Sequence, residues 1–125
     1  MIAADTSTLV AYLAGEKGED VDALDAALGD SQVCLPPVVL TELLSAPDLP
    51  RRVLELLDEL PVLEIRDGYW RRPGILRARV LAARHKARLA DALIAQSCLD
   101  EDVPLISRDA DFRWFAKGGG LKLVP

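Results

Sequence analysis

Short apolar runs alternate along the chain with longer stretches whose hydrophobic positions recur every three or four residues, a pattern that predicts an α/β domain on a mostly parallel sheet. Ile2-Ala3-Ala4 reads as a first strand with Asp5 at its end. Thr6 or Ser7 supplies a capping oxygen for the next helix, whose apolar face is Leu9, Val10 and Leu13 and whose stop is Gly15. Val21, Leu24 and Leu28 mark a second short helix, and Val33-Cys34-Leu35 a second strand. Pro36-Pro37 closes that strand and suits a first helical turn, where a missing N–H costs no bond, so Glu42 is expected early in a helix. Pro47 and Pro50 break the chain before Val53, Leu56, Leu57 and Leu60, the stripe of a helix folded back on its predecessor.

Val62-Leu63-Glu64-Ile65 is expected as the next strand. The helix after it carries the stripe Leu76, Val80, Ala83 and Ala87, while Arg72, Arg79 and Lys86, spaced seven apart, are expected to share another face. Asp91 falls in the first turn of a further helix, where the dipole favours a carboxylate, and Leu93, Ile94 and Cys98 bury that helix. Pro104-Leu105-Ile106-Ser107 forms a buried strand that delivers Asp109, and Leu121-Lys122-Leu123-Val124 a last strand after the Gly118-Gly119-Gly120 turn.

A length of 125 residues suits one domain, residues 1–125, with a single core. Half the residues are hydrophobic and 28% charged, which excludes disorder as the default. No apolar run approaches the roughly 18 residues a membrane span needs, and the N-terminus lacks the basic start and apolar stretch of a secretory signal, so a cytoplasmic protein is expected. Cys34 and Cys98 have no CxxC spacing and read as small buried hydrophobes. The net charge of -5 argues against a protein that coats nucleic acid by bulk electrostatics. Its distribution is uneven, however: between Tyr69 and Ala90 there is no acid, and Arg71, Arg72, Arg77, Arg79, Arg84, Lys86 and Arg88 hold seven of the 15 basic residues.

In an open parallel sheet, ligands bind beyond the carboxyl ends of the strands, where the strand order reverses. Asp5 and Asp109 are expected at such ends, and helices returning over the sheet start at the same edge, so Glu42 and Asp91 can point into the same crevice. Four carboxylates brought together repel and raise one another's pKa unless a cation neutralises them. All-oxygen donors select hard ions, and Mg²⁺ or Mn²⁺ held by carboxylates while keeping waters is an arrangement for binding phosphates. The expected chemistry is metal-assisted hydrolysis of a phosphodiester, with no catalytic histidine.

The same residues resemble the four acidic motifs of PIN domains. These are Asp5-Thr6-Ser7 after a short apolar start, Glu42 within Leu40-Thr41-Glu42-Leu43-Leu44, Asp91 within Leu89-Ala90-Asp91-Ala92-Leu93-Ile94-Ala95, and Ser107-Arg108-Asp109-Ala110-Asp111-Phe112. The likeness runs in order over nearly the whole chain and is greatest to the VapC-type toxins of toxin–antitoxin pairs. It implies a three-layer α/β/α fold with a mostly parallel sheet of four to five strands, which matches the runs named above. It also implies a type II toxin acting as a Mg²⁺- or Mn²⁺-dependent endoribonuclease, a homodimer, and inhibition by a VapB-type antitoxin docked on the helical hairpin. Asp5, Glu42 and Asp91 would be the main metal ligands and Asp109 the fourth acid, with Asp111 its rival or helper. Thr6, Ser7 and Ser107 would support them. One departure is the dense run Arg84-His85-Lys86-Ala87-Arg88, where relatives often carry a glycine.

Taken singly the acids have ordinary uses: Asp5 as a cap, Asp91 as a helix-dipole acid, Glu42 as an exposed helix residue, Asp109 and Asp111 as turn residues. Their ordered occurrence favours a nuclease. The basic stripe is either a solvated face or an RNA-backbone groove, for which Arg72, Arg79, Arg84, Lys86 and Arg88 are the candidates. His85 belongs with that surface, whereas Trp70 and Trp114 are either RNA-stacking or partner-binding aromatics or, as is more usual for an isolated Trp, expected in core or edge packing. The main alternative is a catalytically silent PIN-fold module that binds RNA or protein. A phosphoryl-accepting receiver domain ranks last, because Lys117 and Lys122 are poorly placed for it.

Overall fold

In the computed structural model, which describes Met1 to Pro125, β1 (Ile2–Ala4) is the middle strand of a parallel sheet, between β2 (Val33–Cys34) and β3 (Leu105–Ile106). Ile2 pairs with Val33, Ala3 with both Cys34 and Leu105, and Ala4 with Ile106. All of these except Ile2 are buried, as expected of strands covered on both faces, whose sequences run apolar without alternation. The expected runs at residues 62–65 and 121–124 join only at one position each, Val62 beside Leu35 and Leu123 beside Leu105. The sheet therefore has three strands with a single-residue bridge at either edge, fewer than the sequence suggested. Val62, Ile65 and Leu123 are exposed, so neither run has the two-sided cover that holds the inner strands in register.

Seven helices surround the sheet in an α/β/α arrangement. α1 (Thr6–Leu13) and α2 (Glu19–Gly29) carry the chain from β1 to β2. α3 (Pro37–Leu44), α4 (Arg51–Glu59), α5 (Arg72–Ala82) and α6 (Leu89–Glu101) carry it from β2 past β1 to β3, and α7 (Arg113–Gly119) follows. α1 packs on α2 and α3, while α6 packs on α5 and α3, and α7 on α5. Leu9, Leu24, Val39, Ile94, Phe112 and Phe115 are core residues, and both cysteines are free and buried. No helix is long and apolar enough to cross a membrane.

Several sequence expectations shift. Glu42 is the sixth of eight residues in α3, not in its opening turn, because the helix already starts at Pro37. α5 stops at Ala82, so Ala83 is exposed, Ala87 is buried outside the helix, and Lys86 does not continue the face of Arg72 and Arg79. The stop is made by Arg84 in the left-handed region (φ 64°), whose N–H donates to Leu81 O while that of His85 donates to Val80 O. This is the two-bond closure normally built around glycine. α7 was not anticipated; it runs through Gly118 and Gly119 and ends at Gly120 (φ 79°). Trp70 is 70% exposed rather than packed, whereas Trp114 lies partly buried against the core.

The connection after β1 leads to one neighbour and the connection after β2 leads to the other, so the strand order reverses between β1 and β3. Asp5 follows β1 and Ser107 follows β3, which sets both beside the crevice that such a reversal opens.

Candidate active site

Asp5 is 5% exposed and caps α1. Its Oδ2 accepts from the hydroxyls of Ser7 at 2.7 Å and Ser107 at 2.8 Å, and from the Ser7 amide at 3.4 Å. The two hydroxyl oxygens also lie 3.1 Å from each other, so Ser7, Ser107 and Asp5 form one hydrogen-bonded cluster. The oxygens in turn accept backbone amides, Ser7 Oγ from Arg108 at 3.2 Å and Ser107 Oγ from Asp109 at 3.0 Å. Two serines thus relay the polarity of the loop after β3 onto the first carboxylate. Asp109 then caps the short 3₁₀ turn Ala110–Phe112, its Oδ1 accepting from the Asp111 amide at 2.9 Å. On the other side, Thr6 Oγ1 donates to Glu42 Oε1 at 2.8 Å, joining α3 to the start of α1.

Asp91 is the third residue of α6 and the point where the acids meet electrostatically. Its Oδ2 is buried with no hydrogen-bond partner. Burial pushes its pKa up to about 6, and the charges of Asp109, Asp5 and Glu42 push in the same direction while Arg88 opposes them. The charges of Asp5, Glu42 and Asp109 are therefore all felt at Asp91. The four acids do not converge on a point: no three His, Cys, Asp or Glu side chains are grouped tightly enough to hold an ion by themselves. An orphaned buried carboxylate oxygen, repelled by three other acids, nevertheless fits a hard dication that keeps part of its own water shell. Asp111 stands aside, its Oδ2 facing Lys86 Nζ at 3.4 Å.

The basic candidates divide. The Arg72 guanidinium is held by both oxygens of Asp100, at 3.1 and 2.6 Å, and by Asp67 O at 2.8 Å. Arg79 donates to Gly118 O at 3.1 Å. Arg84, Lys86 and Arg88 are exposed on the loop that leads into Asp91. One residue the sequence reading passed over is Arg108. Its guanidinium donates to Asp20 at 2.8 and 2.9 Å, to Glu16 at 3.1 Å and to Lys17 O at 3.3 Å, locking the Ser107–Asp109 loop to the first turn of α2 and the segment before it. That bond holds the Asp20 carboxyl down at about 2. The motif signal around Arg108 lies in Ser107, Asp109 and Asp111, and the arginine between the first two carries none.

Beside Thr6 and Glu42, a largely apolar groove of about 340 Å³ opens between α1, α3 and α4, lined by Val10, Leu13, Leu43, Leu49 and Val53.

The fold is similar to three solved structures, each 18% identical in sequence. They are FitAcB from Neisseria gonorrhoeae (TM-score 0.72, covering 100% of this chain and 97% of that one), VapBC2 from Rickettsia felis bound to a DNA fragment from their promoter (0.74; 99% and 98%), and FitAB bound to an IR36 DNA fragment (0.73; 99% and 94%). No curated protein gives a significant sequence match. The PIN domain profile matches residues 2–118, a span that runs from β1 into α7 and takes in all four acids. The chain belongs to the PIN-domain family.

Proposed function

We propose that this protein is the toxin of a type II toxin–antitoxin pair, a VapC-type endoribonuclease that hydrolyses RNA phosphodiester bonds with Mg²⁺ or Mn²⁺. The observation that carries this reading is Asp91 Oδ2, buried, unpartnered and within the field of Asp5, Glu42 and Asp109. When bound, the dication would supply an activated water and charge stabilisation at the phosphoryl oxygens. Asp5, Glu42 and Asp91 are the assigned ligands, with Asp109 as the fourth acid. Asp109 is preferred over Asp111 because Asp91 feels its charge, whereas the carboxylate of Asp111 faces Lys86. Ser7 and Ser107 hold Asp5 oriented, and Thr6, next to Asp5, donates to Glu42.

The groove between α1, α3 and α4 supports a VapB-type antitoxin as partner, since an amphipathic helix laid there would bury exposed Val10 and end beside Glu42. Likeness in fold to the VapBC2 and FitAB structures favours the same partner class, and a homodimer is assigned on the family resemblance. The test is RNA cleavage by purified protein: activity with Mg²⁺ or Mn²⁺, none in EDTA, and none in folded Asp5→Asn or Asp91→Asn. Equal cleavage by both variants and the parent would overturn the carboxylate mechanism.

A further inference from the structure

We infer that the surface built by His85, Trp114 and the cations around them receives single-stranded RNA and leads it into the acid cluster; this rests on the nuclease reading above. Two segments make the surface, and they are the same two that deliver Asp91 and Asp109. The loop between α5 and α6 carries Arg84, His85, Lys86 and Arg88 just before Asp91, while the 3₁₀ turn and α7 carry Asp111, Arg113, Trp114 and Lys117 just after Asp109. The segments are joined by two contacts. The imidazole of His85 lies flat on the indole of Trp114, with ring centroids 3.7 Å apart and planes within 3°. Lys86 Nζ is 3.4 Å from Asp111 Oδ2. The Arg113 guanidinium carbon is 4.4 Å from the indole centroid, and Lys117 Nζ is 5.4 Å away.

The chemistry of this surface matches a nucleic-acid strand. In a chain of net charge -5, residues 84–88 and 110–117 carry five cations (Arg84, Lys86, Arg88, Arg113, Lys117) and one acid, Asp111. Lys86, Arg113 and Lys117 are the cations in contact with the joined segments. Stacked flat rings beside arginine are what bases and phosphates together require, since every base offers a π-face and every linkage a charge. An acidic peptide would use the cations and leave the rings idle. The backbone adds a second sign. Arg84 occupies a left-handed position (φ 64°) where glycine would sit without strain, so the exposed cation stands there against the backbone's preference. Lys86 and Arg88 stand five and three residues before Asp91, so the loop adjoins the acid in the chain.

The test is equilibrium binding of a fluorescent single-stranded RNA of about 12 nucleotides, a length within one such strand-binding site, to the full chain in EDTA, where no cleavage occurs. Trp114→Leu and Arg113→Glu are each expected to weaken binding about tenfold, the effect of one lost stack or reversed contact. Arg84→Gly is expected to raise Tm yet weaken binding, a split that a merely structural residue would not give. Trp70→Leu, which removes the more exposed tryptophan, should change nothing. In a Trp70→Phe background, emission from Trp114 should be quenched by RNA. Unchanged affinity in all three patch variants would overturn the inference, as would an equal loss in Trp70→Leu or binding of poly-glutamate as tight as RNA. If the patch pattern holds but the wild type never cuts RNA, the nuclease reading fails alone. If the wild type cuts and the patch variants keep their KM, this inference fails alone.

Discussion

The hydroxyl of Ser107 reaches back across the sheet to donate to Asp5 Oδ2 at 2.8 Å, tying the end of β3 to the end of β1. The same oxygen accepts the Asp109 amide at 3.0 Å, so one side chain fixes two of the four acids. Ser107→Ala would strand that amide and leave Asp5 one donor short. The expected result is a loss of about 1 kcal/mol in stability and a fall of about tenfold in kcat with KM little changed, since the geometry around the reacting centre loosens while strand binding does not. Ser107→Thr, which keeps a hydroxyl, should recover most of the activity. Denaturant melts and steady-state cleavage of a short RNA decide both points.

Asp91 gives the metal-free protein a pH dependence opposite to that of an ordinary carboxylate. Its folded pKa of about 6 lies above the unfolded value of 3.8, so between these the folded state holds more protons. Stability contributed by this group is complete below about pH 4, falls as pH rises to about 6, and stays low above it, a total on the order of 3 kcal/mol. Asp20, held at about 2, runs the other way and loses its contribution as pH falls through that value. The difference in Tm between Asp91→Asn and the parent isolates the first effect: near zero at pH 4, with the variant more stable at pH 7.5. Millimolar Mg²⁺ should raise the Tm of the parent at pH 7.5 and leave that of Asp91→Asn little changed.

Much of this was legible because it depends on short-range pattern. The buried runs Ile2–Ala4, Val33–Leu35 and Leu105–Ile106 are apolar without alternation. Asp5, Asp91 and Asp109 follow strand ends or open a helix, whereas Glu42 sits late in α3 and stands out only by motif. What escaped depends partly on contacts remote in sequence and partly on residues in conformations their type seldom takes. Whether the runs at 62–65 and 121–124 pair at length is decided by cover on their outer side, which no local pattern encodes. The end of α5 rests on Arg84 taking a conformation that favours glycine, so helical periodicity ran on past it to Lys86. α7 was hidden by the glycines at its end, although Phe112 and Phe115 already stood at helical spacing.

Arg108 is expected to act on the reaction without touching the substrate. Its side chain is anchored on Asp20, and Asp20 also accepts from Thr8 Oγ1 at 3.1 Å, so the loop bearing Ser107 and Asp109 is pinned to α1 and its successor. Gly18 leaves room for the clamp: a Cβ there would lie 2.6 Å from Asp20 Oδ1 and 2.9 Å from Arg108 Nη2. Arg108→Ala, Asp20→Asn and Gly18→Ala should each lower kcat, by about tenfold or more, while RNA affinity measured in EDTA holds. Arg108→Lys should not rescue, because one ammonium cannot replace a forked donor gripping two oxygens of Asp20 and one of Glu16. Full activity in all three variants would remove Arg108 from any positioning role.

Arg72 separates a basic residue that holds the fold from those that face a ligand. Both oxygens of Asp100 receive its guanidinium, Gln96 Nε2 donates to Asp100 Oδ1 at 2.9 Å, and the whole group joins the start of α5 to the end of α6, the end opposite Asp91. Asp100→Ala should therefore cost about 1 kcal/mol, the low end for a charged hydrogen-bond partner because water still reaches Arg72. Arg72→Gln should lower Tm in the same way and leave RNA affinity as it was. Arg84→Gly predicts the reverse on both counts, so thermal melts and RNA titrations of this pair of variants place the two arginines on different sides of the line. A drop in RNA affinity for Arg72→Gln as large as that for Arg84→Gly would return α5 to the binding surface.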